Sequence, residues 1–215
     1  MTEPRMDWDS IYRRNVLPPW SIGAAQPELA ALIDQGQVRG DVLDAGCGHA
    51  ELSLALAARG YTVVGLDASG TAIAAATRAA TERGLTTASF ARADVTDFAG
   101  YDERFTTVMD SGLLHALPAD RRQPYMQSIH RAAAPGAALY VLAAALRPGA
   151  DAHPGPHGFT EDELRDTVAT LWTVDWVRPA SLYANGLDGS RVTGADDIPG
   201  GDWKLPGLLL AAHKS

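Results

Sequence analysis

The sequence has 215 residues, of which 46% are apolar, with 18 Lys and Arg against 26 Asp and Glu for a formal charge of −8. That length suits one globular domain whose core needs no staples, and the acidic balance argues against general affinity for nucleic acid or an anionic membrane. A single cysteine, Cys47, excludes an intrachain disulfide and a cysteine zinc site.

The first residues lack the apolar stretch of a secretion signal. The longest apolar region, 132–146, is broken by Pro135-Gly136 and falls short of the roughly 18 residues that span a bilayer. A cytoplasmic protein is expected. Residues 5–36 read as mainly helical, interrupted by Val16-Leu-Pro-Pro-Trp20, where two prolines fix an extended bend.

From there, short aliphatic runs alternate with alanine-rich helical patterns. The runs 41–44, 61–67, 88–92, 105–110 and 138–142 predict strands. Helices are predicted near 50–59, 70–83 and 119–133, with Gly60 and Gly84 just past two of them, where a left-handed residue closes a helix. A further helix is expected over 160–170, with Thr160 as its cap and acids in its first turn. Two β-rich runs come after it, 172–182 and 205–213, separated by a Gly/Asp-rich stretch read as a loop. Near-continuous apolar strands separated by helices imply a parallel sheet covered on both faces. The expected fold is therefore α/β: a doubly wound, Rossmann-like, seven-stranded sheet, mostly parallel, with an antiparallel strand at the C-terminal end.

The most informative stretch is Val42-Leu-Asp-Ala-Gly-Cys-Gly-His-Ala-Glu51. A buried strand ends at Asp44, a turn with Gly46 and Gly48 comes next, and a helix begins. In such sheets ligands bind beyond the carboxyl ends of the strands, and glycines let the backbone approach them closely. By charge sign, Asp44 favours a cationic group over a phosphate. A dinucleotide fingerprint needs glycine at position 51, where Glu51 stands instead. Asp67 ends the second strand, about 20 residues on, where an acid can accept from both ribose hydroxyls; it also suits a helix cap. Asp94, after the third strand, suits an exocyclic amine or a plain surface turn.

At these residues the pattern resembles the class I S-adenosylmethionine-dependent methyltransferases. Asp44-Ala-Gly-Cys-Gly48 is similar to their first motif, which holds the methionine part of the cofactor, with Cys47 a small close-packed residue beside it. Asp67, followed by Ala68, matches the ribose-binding acid, Asp94-Val95 the adenine side, and Asp110-Ser111-Gly112 the motif after the fourth strand. Arg131-Ala-Ala-Ala-Pro-Gly136 resembles the usual turn into the fifth strand, and Ala50 stands where many members have a third glycine. Trp8-Asp-x-x-Tyr12, then Pro19-Trp20-Ser-Ile-Gly23 and Gln26-Pro27, look like the thiopurine and halide/thiol methyltransferases. Related bacterial enzymes acting on quinols and heteroaromatic compounds are similar too. The resemblance implies that Trp20 lies against the cofactor under an N-terminal cover. It also implies one methyltransferase domain over 1–215: a helical cover (1–37), a cofactor-binding core (38–146) and a substrate-side portion (147–215).

The implied reaction is in-line methyl transfer from S-adenosylmethionine, leaving S-adenosylhomocysteine, to a small acceptor: an aromatic hydroxyl or a heteroaromatic nitrogen or sulfur. Leu113, Leu114 and His115 lie just past the fourth strand and are candidates for the acceptor pocket, with Tyr12 and His157. His115, titrating near neutrality, is the candidate base. Asp151, His153 and His157 form a metal-like string, but Pro154, Gly155 and Pro156 prevent a shared helical face, so no metal is expected. The segment after the fourth strand lacks the double proline of enzymes that methylate nucleic-acid bases. No nucleic-acid or membrane partner is expected. A cofactor-binding sensor or scaffold without turnover is the alternative.

Overall fold

The computed structural model describes residues 6–14, 16–146, 158–185 and 203–215, and the backbone of 196–197. Its strands are β1 (Val42–Ala45), β2 (Val63–Asp67), β3 (Ala88–Arg92), β4 (Phe105–Ser111), β5 (Ala133–Ala144), β6 (Thr173–Ala184), β7 (Asp196–Asp197) and β8 (Trp203–His213). Seven of them form the order β3-β2-β1-β4-β5-β8-β6, and the two-residue β7 adds an eighth beside β8. The pairs β3-β2, β2-β1, β1-β4 and β4-β5 are parallel. β8 runs antiparallel to both β5 and β6, so one long strand is reversed within a parallel frame, as the C-terminal expectation had it.

The helices are α1 (Trp8–Tyr12), α2 (Pro27–Asp34), α3 (Glu51–Ala58), α4 (Gly70–Glu82), α5 (Ala119–Ala132) and α6 (Glu161–Ala169). Side chains alternate across a strand, so each strand feeds two cores. Leu43, Val64, Val108 and Leu139 pack against Tyr125, Met126 and Ile129 of α5 and Leu164 and Val168 of α6. Val42, Val63, Met109 and Tyr140 pack on the other face against Leu29, Leu32 and Ile33 of α2 and Leu52 and Leu56 of α3. That double burial is why the strands read as unbroken apolar runs. Thr160 caps α6 in a reciprocal box with Glu163, as its sequence promised.

Two expectations are corrected. The fifth strand begins at Ala133, which pairs with Phe105 of β4, and runs through Pro135-Gly136, where Gly136 N–H donates to the Lys214 carbonyl, to Ala144, antiparallel β8 pairing with it from Ala138 onward. Of residues 5–36, the described ones are α-helical only at α1 and α2. The segment between them takes its hydrogen bonds from Tyr183 of β6 and from Asn185 instead. Gln26 exchanges two bonds with the Tyr183 backbone at 2.8 Å each, and Asn185 donates to the carbonyls of Pro18 (2.7 Å) and Ser21 (2.6 Å). Polar backbone satisfied by the sheet's far edge does not need helix. None of the described helices is long and apolar enough to cross a membrane.

Candidate active site at the carboxyl edge of the sheet

The turn after β1 is held from below by its neighbour strand: Gly46 and Cys47 both donate to the Leu66 carbonyl, at 2.8 and 3.0 Å. Gly46 (φ 71°) and Gly48 (φ 53°) are left-handed. A Cβ on Gly46 would lie 2.9 Å from Leu113, and one on Gly48 2.6 Å from the Tyr12 hydroxyl. Only glycine meets both demands. Cys47 is buried inside the turn, and burial drives its thiol well above the usual range. It is packing, not a nucleophile.

Two carboxylates fix this turn. Asp44, 1% exposed, accepts from Ser53 at the start of α3, 3.1 Å from N–H and 2.6 Å from Oγ. Burial raises its pKa to about 7 against those bonds, and the charge of Asp110 adds to the rise. Asp67 accepts from Gly48 N–H (2.9 Å) on one oxygen and Ser69 N–H (2.8 Å) on the other. Ser69, rather than Asp67, caps α4, accepting from Ala72 N–H at 3.1 Å. Each Asp67 oxygen keeps lone-pair capacity beyond these bonds, which fits a vicinal diol such as ribose.

An aromatic roof covers the turn. Trp20 Nε1 donates to the Tyr12 hydroxyl at 3.1 Å. Tyr12 meets the His49 ring edge-on at 5.0 Å, and Trp8 meets Trp20 at 5.8 Å. Burial, then the charge of Asp67, raises the Tyr12 pKa. Beneath the roof, the crevice is bounded by Gly46, Gly48, Asp44, Ser111, Gln26 and Glu51. Asp9, which sequence reasoning passed over inside the Trp8-to-Tyr12 motif, fastens the roof. Its carboxylate accepts from Ser69 Oγ (2.6 Å) and Thr71 N–H (3.0 Å) at the start of α4 and pairs with Arg13 at 2.6 Å. The Ser69 bond foremost holds its pKa well below the usual range. Its sequence signal was its place in the Trp8-Asp-x-x-Tyr12 pattern. Likewise His49, next to the glycines, was not singled out, yet its Nδ1 lies 3.2 Å from Ser21 Oγ.

Other candidates sit elsewhere. Asp110 is fully buried and turned away from the crevice: its oxygens accept from Leu113 N–H (2.7 Å), Leu114 N–H (3.0 Å) and the Tyr125 hydroxyl (2.9 Å). Ser111, its neighbour, does line the crevice. Leu114 is 0% exposed in the α5-side core and cannot line an acceptor pocket as expected. Leu113 stands at the turn, over Gly46. Asp94 accepts from Thr96 (3.0 Å from N–H, 2.7 Å from Oγ1) and pairs with Arg121 of α5 at 2.6 Å, so its carboxylate is already engaged. Val95 is core, while Ala68 is exposed at the rim, its carbonyl accepting from Arg92 at 3.0 Å. His157, with Asp151 and His153, lies outside the described residues.

His115 also departs from expectation. Its Nδ1 accepts from Ala144 N–H at 3.3 Å, so the proton resides on Nε2. Burial, with Arg122 adding, pushes its pKa down to about 4. At neutral pH it is uncharged and offers an N–H; acting as base at Nδ1 would require release from Ala144.

Known proteins share this architecture. A methyltransferase-domain family model matches residues 42–136. The whole chain is 50% identical, over the full length of both, to the 2-heptyl-1-hydroxyquinolin-4(1H)-one methyltransferase of Mycobacteroides abscessus. A structure solved in work on the conversion of a disulfide bond into a thioacetal group during echinomycin biosynthesis is 35% identical. It superposes with a TM-score of 0.82 over 96% of this chain and 90% of that one. The Burkholderia thailandensis 1,6-didemethyltoxoflavin-N1-methyltransferase, solved with its acceptor and S-adenosylhomocysteine, shares the fold at 21% identity, TM-score 0.63, over 88% of this chain and 77% of that one. Glycine turn, strand-end acids and full-length kinship agree: this chain belongs to the S-adenosylmethionine-dependent methyltransferases.

Proposed function

We propose that the protein methylates the hydroxyl oxygen of a hydroxylated nitrogen heteroaromatic, with an alkylated 1-hydroxyquinolin-4-one as its substrate class. The observation that carries this is the 50% identity, end to end, with an enzyme named for such a compound. We read the enzyme as cytoplasmic, since its donor is a cytosolic metabolite and its one cysteine is unpaired. In this reading residues 1–37 cover the crevice, 38–146 hold the donor and 147–215 shape the acceptor side.

When bound, S-adenosylmethionine supplies an electrophilic methyl carbon on a sulfonium. Asp67 takes the ribose hydroxyls with its remaining lone pairs. Gly46 to Gly48 give backbone approach to the aminoacyl part, and Asp44 contributes negative charge beneath it. Ser111 borders the same end. Asp94 and Val95 form the adenine side, on condition that Asp94 shares its carboxylate with Arg121. Tyr12 and Trp20 exclude water and restrict the acceptor to one approach, and such orientation is worth several kcal/mol, on the order of 7–11 in favourable cases. An N-hydroxyl conjugated to a ring carbonyl ionises readily, because its charge spreads to the carbonyl oxygen. A strong base is then unnecessary, in keeping with a His115 that offers a proton donor.

Incubation with labelled methyl donor and a 1-hydroxyquinolin-4-one tests this. The expected result is an acceptor heavier by one methylene, with one S-adenosylhomocysteine per product. Label transfer to a dithiol or disulfide compound, and none to the heteroaromatic, would overturn it in favour of a sulfur acceptor; the 35% identical relative is what makes that second reading worth including.

A further inference from the structure

One cation at the carboxyl edge has no task in the donor site. Arg122 lies in the first turn of α5, half-buried, its guanidinium 4.3 Å over the Phe159 ring and its Nε donating to the Leu117 carbonyl at 3.3 Å. Among the described residues no carboxylate pairs with it. Its α5 neighbour Arg121 is joined to Asp94, and Asp120 is exposed. The acid that acts on it through space is Glu163 of α6. That carboxylate is committed to the α6 cap, accepting from Thr160 N–H at 2.8 Å and Oγ1 at 2.9 Å. Among the described residues this half-buried guanidinium thus has no carboxylate in contact, only Glu163 acting at longer range, and water screens it incompletely.

The surroundings join it to the crevice. Ser111 lines the crevice, and beside it Gly112 packs so near His115 that a Cβ there would lie 3.2 Å from the ring. His115 is tied to the end of β5 through Ala144 N–H. Phe159 is tied to the same strand end, donating to the Ala144 carbonyl at 2.8 Å and accepting from Leu146 N–H at 2.7 Å. The turn after β4, the start of α5 and the end of β5 thus bring Arg122, His115 and Phe159 to one corner. His115, neutral, contributes an N–H without a second positive charge.

We propose that this corner is the anion-recognising part of the acceptor site: the acceptor binds as its oxyanion, held by the Arg122 guanidinium and the Nε2–H of His115. This rests on the heteroaromatic-hydroxyl reading and adds the protonation state that enters. The hydroxyl proton leaves to solvent before binding. A lone pair of the oxyanion then forms the O–CH3 bond as the S–CH3 bond breaks, and that electron pair stays on sulfur, giving a neutral thioether. No proton remains for an enzyme base to remove. The site selects acidic heteroaryl hydroxyls over alcohols and ordinary phenols.

The test measures kcat and kcat/KM separately against pH, between roughly pH 5 and 9, for wild type, Arg122→Gln and Arg122→Lys with hydroxylated heteroaromatics of graded acidity. Donor affinity is measured by calorimetry and folding by thermal melting. Arg122→Gln is expected to lower kcat/KM about 10–100-fold, the range for a lost charge-assisted hydrogen bond. It should also move the acidic limb of kcat, which reports the bound acceptor, up by about one unit, while the limb of kcat/KM stays at the free acceptor's own pKa and donor affinity is unchanged. Arg122→Lys should restore part of the loss. A folded Arg122→Gln with wild-type kcat/KM and an unmoved kcat limb would overturn the proposal, as would faster turnover of the neutral acceptor. A merely structural Arg122 would lower the melting temperature and leave the limb in place. If Arg122→Gln does not fold, the Arg122→Lys profile decides by the same shift of the limb. If wild type methylates no heteroaryl hydroxyl, the substrate reading fails separately. The corner is then judged by equilibrium titration with 1-hydroxyquinolin-4-one above and below its own pKa: binding must favour the anion in wild type and lose that preference in Arg122→Gln.

Discussion

Asp44 and Asp110 end neighbouring parallel strands, yet they serve opposite faces of the sheet. Asp44 shares its face with Val42, which packs on α2 and α3, and it bonds Ser53 of α3. Asp110 shares its face with Val108 and bonds Tyr125 of α5. The register pairs Asp44 with Met109 and Ala45 with Asp110, a one-residue offset that reverses the side chain. An acid at a strand end is therefore not yet a ligand group. On the α3 side, Asp44 and Asp67 stay beside the glycine turn. On the α5 side and at the β3 end, Asp110 and Asp94 are committed to protein donors.

Substitution at Asp67 breaks that comparison most severely. Asp67→Ala removes the acceptor of Gly48 and Ser69 N–H and the proposed ribose contact together. Two lost charge-assisted bonds weaken donor affinity on the order of 100-fold or more. Asp94→Ala, whose carboxylate already serves Arg121, should cost less than about 10-fold. Calorimetric titration of both variants with S-adenosylmethionine measures the contrast. Equal losses would mean that Asp94 leaves Arg121 for the adenine edge, and that the two acids are equivalent after all.

Asp110→Asn sharpens the same contrast from the stability side. The amide must turn its NH2 toward a donor, either a Leu113 or Leu114 N–H or the Tyr125 hydroxyl, at a cost of about 1–3 kcal/mol. Donor affinity should change much less than after Asp67→Ala. Burial raises Asp110 from 3.8 to about 7 in the fold. The native state thus keeps a proton that the unfolded chain releases. This contribution is full below pH 3.8, declines as pH rises, and is lost above about 7. Asp44 carries the same shift. Asp110→Asn should therefore remove Asp110's share of the fall and flatten apo stability over that window. Denaturant titrations at several pH values measure it; an unchanged slope would show the carboxyl to be ionised throughout.

The comparison also explains what the sequence could reveal. Strand alternation, glycine placement and the Thr160 cap are local properties, so β1 to β4 and α3 to α6 were legible. The glycine turn was legible because two left-handed positions leave a residue-type signature. The direction of Asp110, the burial of Leu114 and the Asp94–Arg121 pair depend on register and on residues 27 positions distant, as Arg121 is from Asp94. No local pattern encodes those. The bend at Pro18-Pro19 was legible, but how it is held was not: Asn185 bonds the Pro18 and Ser21 carbonyls, and the Gln26 side chain bonds the Tyr183 backbone, across more than 150 residues. The role of Asp9 was hidden for the same reason: its partners, Ser69 and Thr71, lie at the start of α4, some 60 residues on.

The smallest effect concerns the residue that opens α3. Ala50 has φ 66° and is 0% exposed, so a Cβ sits buried in left-handed backbone. Left-handed geometry costs a non-glycine residue roughly 1–2 kcal/mol. Glycine would relieve that strain, but it would also loosen the unfolded chain and remove a buried methyl packed with Cys47, Leu54 and Ala76. Those losses offset part of the gain. Ala50→Gly should therefore leave stability within about 1 kcal/mol of the parent, visible as at most a small shift in melting temperature. Donor affinity should hold or improve slightly, since the turn that Asp44 and Asp67 grip would need no strained neighbour. A destabilised Ala50→Gly would mean that the methyl's packing outweighs the backbone strain, and that the α3 side is held by its core as much as by its carboxylates.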